Sequence, residues 1–108
     1  MEQDMYVELV SGILLALPAQ VTRIVLYGSV ARGTNGPESD VDIAIFVNAK
    51  LDADMEDRLS DVVVEMNLKY DRVFSVIDID DSTYQKWRSV TPFYQNVDKE
   101  GVVLWKAA

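Results

Sequence analysis

Residues 26–47 read LYGSVARGTNGPESDVDIAIFV and decide the fold, because a polar, glycine-rich connection joins two apolar segments. The first segment, Val21–Tyr27, is β-branched and apolar, which predicts a strand. The second, Asp40–Val47, is almost continuously apolar at its far end, which predicts a strand buried on both faces. The connection at residues 28–39 therefore joins two strands, and its glycines place a turn directly after the first strand.

Working outward, the remaining sequence alternates between helical and strand patterns. The connection itself predicts a short helical turn at Ser29–Arg32 and a tight turn at Asn35-Gly36-Pro37. Apolar spacing predicts helices at residues 2–16, 51–68 and 82–87, strands at 74–79 and 102–105, and a turn or short helix at 92–99. This order predicts an α/β (α+β) fold in which a small mixed sheet packs with helices. The length of 108 residues predicts one domain over residues 1–108.

The turn after the first strand has the composition of a phosphate cradle. Gly28 allows the backbone to approach a ligand closely, and amides exposed at the start of a helical turn point toward anions. Ser29 adds a hydroxyl group at the same place. Gly28 and Ser29 are therefore the candidate nucleotide-binding residues.

Two acids follow at the start of the second strand. Asp40 and Asp42 are two residues apart, so a strand directs both side chains to one face, roughly 6–7 Å apart at Cβ. Two carboxylates at that spacing repel each other unless a cation lies between them. An anion cradle beside such a pair can hold a nucleoside triphosphate together with its metal ion.

Composition limits the chemistry further. The chain has no cysteine and no histidine, which excludes thiolate and imidazole metal sites and the usual neutral-pH base. A bound metal must therefore be hard and oxygen-ligated, such as Mg²⁺ or Mn²⁺. A net charge of −8 argues against a face that binds duplex nucleic acid. The first residues lack a basic signal-peptide region, and no apolar run reaches membrane-spanning length, so we expect a cytoplasmic protein without membrane contact.

The combined motif, Gly-Ser followed about ten residues later by Asp-hydrophobic-Asp, resembles the signature of the DNA-polymerase-β-like nucleotidyltransferases. More narrowly, LYGSVARG, ESDVDIAI and the tail PFYQNVDKEGVVLW resemble the minimal nucleotidyltransferase domains of bacteria and archaea. The resemblance covers most of the chain. It implies that Gly28 and Ser29 hold the triphosphate of an NTP, expected to be ATP, and that Asp40 and Asp42 are catalytic metal ligands. It also implies transfer of a nucleoside monophosphate to a hydroxyl acceptor, and Arg32 either braces the loop or contacts phosphate.

The third carboxylate of that family lies on a neighbouring strand, and two alignments place it differently here. Alignment from the C-terminal tail puts Ser75 at this position, whereas literal pattern matching selects Asp78 in Ile77-Asp78-Ile79. We favour Ser75, because the segment from Ser82 onward aligns without gaps. A serine cannot act as a carboxylate base and is a poor magnesium ligand, so it would weaken activation of the nucleophile.

The resemblance leaves more than one function open. Short domains of this kind resemble the antitoxin half of two-gene modules whose toxin is a helical HEPN-type ribonuclease, so a HEPN-type protein or a second copy of the chain is an expected partner. The alternative is a catalytically degenerate domain that binds nucleotide or a partner. An antibiotic-adenylylating enzyme is a weaker third reading, because those enzymes usually carry a second domain for the drug.

Overall fold

The computed structural model describes residues 2–34, 36 and 40–108, and in these ranges it contains five helices and four strands. In chain order they are α1 (Glu2–Ala16), β1 (Val21–Tyr27), α2 (Gly28–Arg32), β2 (Val41–Val47), α3 (Ala53–Tyr70), β3 (Phe74–Asp80), α4 (Asp81–Trp87), α5 (Pro92–Glu100) and β4 (Val102–Lys106). The predicted alternation of helices and strands is confirmed, and residues 92–99 lie within a helix. The turn predicted at Asn35-Gly36-Pro37 lies outside the described residues, apart from Gly36.

Capping side chains explain where the helix bounds differ from the prediction. The Asp52 carboxylate accepts a hydrogen bond from the backbone N–H of Met55 at 2.8 Å, so α3 begins at Ala53 rather than at residue 51. In the same way the Asp80 carboxylate accepts from the N–H of Ser82, and α4 begins one residue earlier than predicted. In the described part of the chain, no helix combines the length and the apolar character needed to cross a membrane.

The sheet is mixed and has the strand order β3-β2-β1-β4. β1 runs antiparallel to both β2 and β4, whereas β2 and β3 are parallel. A parallel pair requires a crossover connection, and α3 provides it between β2 and β3. The fold is therefore the α+β arrangement expected from the sequence, with β1 and β2 at its centre.

Two apolar clusters cover the two faces of the sheet. The larger one joins α1 and α3 to fully buried strand residues such as Ile43 and Ile45. The smaller one lies on the opposite face, where Ala44 and Phe46 pack with Tyr84 of α4 and Val97 of α5. Every residue of β2 except Asp42 is buried, so this carboxylate is the exception in a central strand.

Candidate active site

The turn from β1 into α2 brings Gly28 against Asp42. Tyr27 and Asp42 are paired residues in the antiparallel register of β1 and β2, so Gly28 follows directly beside the acid. Gly28 has φ of +78°, a conformation that favours glycine. A Cβ atom at this position would lie 3.1 Å from Cγ of Asp42, 3.3 Å from its Cβ and closer still to the carboxylate oxygen Oδ2. The absence of a side chain on Gly28 is therefore what allows the Asp42 carboxylate to lie against the turn.

Ser29 lies in the first turn of α2, which is only five residues long. The helix ends at Gly33 in a left-handed conformation, and the N–H of Thr34 donates to the carbonyl of Ser29 at 3.0 Å. Ser29 is half-buried, and its carbonyl also lies 3.5 Å from the hydroxyl of Thr34. Ser29 therefore follows Gly28 directly at the start of α2.

The two acids occupy different environments. Asp42 is half-buried in β2, whereas Asp40 is exposed and precedes the strand, so the prediction that β2 begins at Asp40 was wrong by one residue. Burial raises the pKa of the Asp42 carboxyl above its ordinary value, the negative charge of Asp40 raises it further, and Arg32 partly opposes both effects. Asp40 and Asp42 are therefore close enough to repel each other, and a cation would relieve this repulsion.

Register distinguishes the two positions considered for a third carboxylate. In the parallel pairing of β2 and β3, Ser75 is the direct partner of Asp42. Asp78 pairs instead with Ile45, whose side chain belongs to the cluster on the opposite face of the sheet, and it lines a pocket there with Glu56 of α3. The structure thus places Ser75 beside Asp42 and Asp78 away from it. Within residues 2–34, 36 and 40–108, no group of three or more acidic side chains could hold a metal ion together.

Arg32 makes an ion pair that connects α2 to α5. Its Nη1 lies 2.9 Å from Oε2 of Glu100, and the two side chains are 47% and 29% exposed. The partners are separated by 68 positions in sequence. Arg32 therefore braces the loop against α5, which is one of the two roles considered for it.

A small pocket next to Gly28 contains residues that the sequence reasoning did not assign to the site. It has a volume of about 190 Å³, and Tyr27, Phe93 and Asn96 contribute to its lining. The rings of Tyr27 and Phe93 meet edge to face with centroids 5.6 Å apart. Burial, and then the negative charge of Asp42, raise the pKa of the Tyr27 hydroxyl. Of these residues, only Phe93 belongs to a group of aromatic side chains late in the sequence, and packing against the core explains that group equally well.

With this geometry, comparison with known proteins identifies the class of protein. The profile of the nucleotidyltransferase domain family matches residues 7–101. The chain therefore belongs to the nucleotidyltransferase domain family.

Individual relatives agree with this assignment. A Methanocaldococcus jannaschii protein named "Putative protein adenylyltransferase MJ0604" is 32% identical over 104 residues, which are 96% of this chain and 98% of that protein. A crystal structure of a toxin-antitoxin with AMP-PNP aligns with a TM-score of 0.63 and 23% identity, over 99% of this chain and 75% of that chain. A structure of a tri-AMPylated Shewanella oneidensis HEPN toxin in complex with MNT antitoxin aligns with a TM-score of 0.61 and 21% identity. The alignment covers 99% of this chain and 74% of that chain. These structures share the fold of this chain.

The residues at the site fit the divalent metal ion that this family implies. Asp40 and Asp42 supply only oxygen donors, which suit hard cations. Burial is the main cause of the raised pKa of the Asp42 carboxyl, and the repulsion by Asp40 that adds to it is the kind that a bound cation removes. Gly28 carries no side chain and its backbone lies against that carboxylate, so a phosphate group bound by this turn would be next to the acid. The arrangement is suited to holding a phosphate group and a cation side by side.

Proposed function

We propose that this chain transfers a nucleoside monophosphate from an NTP, expected to be ATP, to a hydroxyl acceptor and releases pyrophosphate. The observation that carries the proposal is the contact between the Gly28 turn, to which we assign phosphate binding, and the Asp42 carboxylate, which we assign as a metal ligand. Membership of the nucleotidyltransferase family and 32% identity to a protein named as an adenylyltransferase support the reaction type.

In this proposal each residue has a distinct role. The Gly28 and Ser29 backbone and the Ser29 hydroxyl bind the triphosphate, and Asp40 and Asp42 hold Mg²⁺ or Mn²⁺. The bound ion would neutralise charge on the phosphates and on the pyrophosphate leaving group. The protein positions the α-phosphate for in-line attack by the acceptor oxygen, with pyrophosphate leaving on the opposite side. The acceptor proton passes to solvent or to a group on the acceptor, because Ser75 stands where a third acid could lie.

The acceptor in this proposal is a protein of the HEPN type. Two solved structures that share this fold are toxin-antitoxin assemblies, and one contains a HEPN toxin carrying AMP groups. In this proposal a partner protein or a second copy of the chain completes the acceptor site. We therefore propose an antitoxin-like function in which the chain modifies its partner.

A transfer assay tests this proposal. The purified chain is incubated with α-labelled ATP and Mg²⁺ or Mn²⁺, alone and with a HEPN-type candidate partner, and protein-bound label is measured. The proposal predicts partner labelling that needs the metal ion and disappears in Asp40→Ala/Asp42→Ala. Labelling that persists in this double variant would exclude the assigned site.

A second candidate function, nucleotide or partner binding without turnover, is favoured by Ser75. Because Ser75 is the register partner of Asp42, the variant Ser75→Asp would place a third carboxylate beside the acid pair. If the wild type binds ATP with metal but transfers nothing, Ser75→Asp should produce transfer. The matched control is Asp78→Asn, which changes an exposed acid on the opposite face and should leave binding and transfer unchanged. Equal effects from the two variants would contradict the assignment of Ser75.

A further inference from the structure

A second pocket lies on the same face of the sheet as Asp42 but at the other end of β1. Tyr27 pairs with Asp42 at the site end, whereas Arg23 pairs with Phe46 four residues earlier, about 13 Å away along a strand. The pocket has a volume of about 690 Å³, which is within the range of small-molecule sites. It is therefore a separate cavity from the one beside Gly28.

Two positive charges face each other across adjacent strands in this pocket. Arg23 of β1 and Lys106 of β4 are directly paired in the antiparallel register, and both line the cavity. Like charges at paired positions destabilise a sheet unless something compensates for them. In the described part of the chain neither side chain has an ion-pair partner. The Arg23 guanidinium is held in place by the Phe46 ring, whose centroid is 4.0 Å from Cζ.

A third cation, Arg88, lies in the pocket at the end of α4, and two acids, Asp81 and Asp98, form hydrogen bonds nearby. Cζ of Arg88 lies 5.3 Å from the ring centroid of Tyr84. Asp98 accepts a hydrogen bond from the Tyr84 hydroxyl and is 3.9 Å from Arg88, at the outer limit of an ion pair. Asp81 accepts a hydrogen bond from the hydroxyl of Thr22 at 2.8 Å. In the described part of the chain, neither of these carboxylates forms an ion pair with Arg23 or Lys106.

Basic side chains outnumber acidic ones in the lining of this pocket, whereas acidic residues predominate in the whole protein. The chain has a net charge of −8 and only ten basic residues, yet three of them line one pocket together with two acids. Guanidinium groups bind phosphate through paired N–H donors, and an ammonium group adds a point charge. The geometry points to a second, metal-independent anion site that binds the phosphate group of a small molecule through Arg23, Lys106 and Arg88.

The test is a titration followed by amide NMR in the Asp40→Ala/Asp42→Ala background, with chelator present and at constant ionic strength. This background removes the metal ligands, so the result is independent of the proposed transfer reaction. The probes are inorganic phosphate, pyrophosphate and AMP, which separate a free anion from a phosphate ester. The expected result is saturable shifts at the amides of Arg23, Gln85 and Lys106 with at least one probe.

Charge variants show whether the pocket itself binds the probe. Lys106→Gln changes an exposed side chain and should weaken binding about tenfold. Arg23→Lys keeps the charge but removes the paired donors, and it should also weaken binding. The control Lys69→Gln removes the same charge from the end of α3 and should have no effect. Absence of saturable shifts with all three probes, or equal weakening by Lys69→Gln, would overturn the inference.

Discussion

Substitution of Gly28 by alanine tests the contact on which the candidate site depends. Gly28 and Gly33 have nearly the same backbone conformation, with φ of +78° and +75°. A Cβ at Gly28 would collide with Asp42, whereas a Cβ at Gly33 would have no atom within 4 Å. Gly33→Ala is therefore a matched control that carries the same backbone strain without the collision.

The two variants should differ in stability as well as in binding. A left-handed conformation costs an alanine about 1–2 kcal/mol, so Gly33→Ala should lower the free energy of unfolding by about that amount. Gly28→Ala should lower the free energy of unfolding by at least about 1 kcal/mol beyond the effect of Gly33→Ala, because the Asp42 side chain must move. A loss of 1 kcal/mol lowers Tm by about 4–8 °C in a domain of this size. Thermal and urea unfolding measure both values.

Binding distinguishes the variants more sharply. Gly33→Ala should keep metal-dependent ATP binding, whereas Gly28→Ala should lose it, because the new methyl group displaces the Asp42 carboxylate from the turn. In the Asp42→Ala background the extra stability cost of Gly28→Ala should shrink, since the carboxylate that it meets is gone. Equal stability losses for the two glycines, with ATP binding retained in Gly28→Ala, would refute this reasoning.

Three further predictions concern charge and packing. The pKa of Asp42 in the folded state is raised above its ordinary value of 3.8. The free energy of unfolding of the wild type should therefore fall as the pH rises from 3.8 through the folded-state pKa. Asp42→Asn should therefore be the more stable form at pH 7 by urea unfolding, and an advantage that does not shrink toward pH 4 would contradict this. Gly101→Ala should cost about 1–3 kcal/mol, because its Cβ would meet the Val97 carbonyl and lie 2.5 Å from Cγ1 of Val25; an unchanged Tm would contradict this packing. Arg32→Gln removes a partly exposed ion pair and should cost about 1 kcal/mol or less, and a tenfold loss of ATP affinity would indicate a phosphate contact instead.

Local pattern was sufficient to predict most of the fold. The β-branched run at Val21–Tyr27 reflects a central strand with apolar residues on both faces, and the apolar spacing of α3 reflects a helix that packs one face against the core. Both signals are present in the sequence itself. The first residues of α3 and α4 were predicted less accurately, because capping side chains decide where these helices begin. Asp52 could not be recognised as the cap of α3 until the Met55 N–H was seen to point toward it.

The candidate site was predictable where its residues are close in sequence. Gly28, Ser29, Asp40 and Asp42 lie within 15 positions, so one motif contains them all. The pairing of Arg32 with Glu100 could not be predicted, because α5 is brought to α2 only by the folded sheet.

The pairing of Arg23 with Lys106 could not be predicted from the sequence either, because the two residues are brought together only by the folded sheet. It follows from β4 joining the sheet beside β1, and neither residue belongs to a recognisable motif. Ser75 is an intermediate case: alignment proposed its position, and the register of β2 and β3 shows that it lies beside Asp42.

Titration calorimetry of ATP with Mg²⁺ or Mn²⁺ tests the central claim most directly. The wild type should bind ATP in a metal-dependent manner, and Asp40→Ala/Asp42→Ala should lose this binding while remaining folded by circular dichroism. The other three NTPs, titrated in the same way, show the base preference. Absence of binding with all four NTPs, or unchanged binding in the double variant, would contradict a nucleotide and metal site at Gly28, Ser29, Asp40 and Asp42.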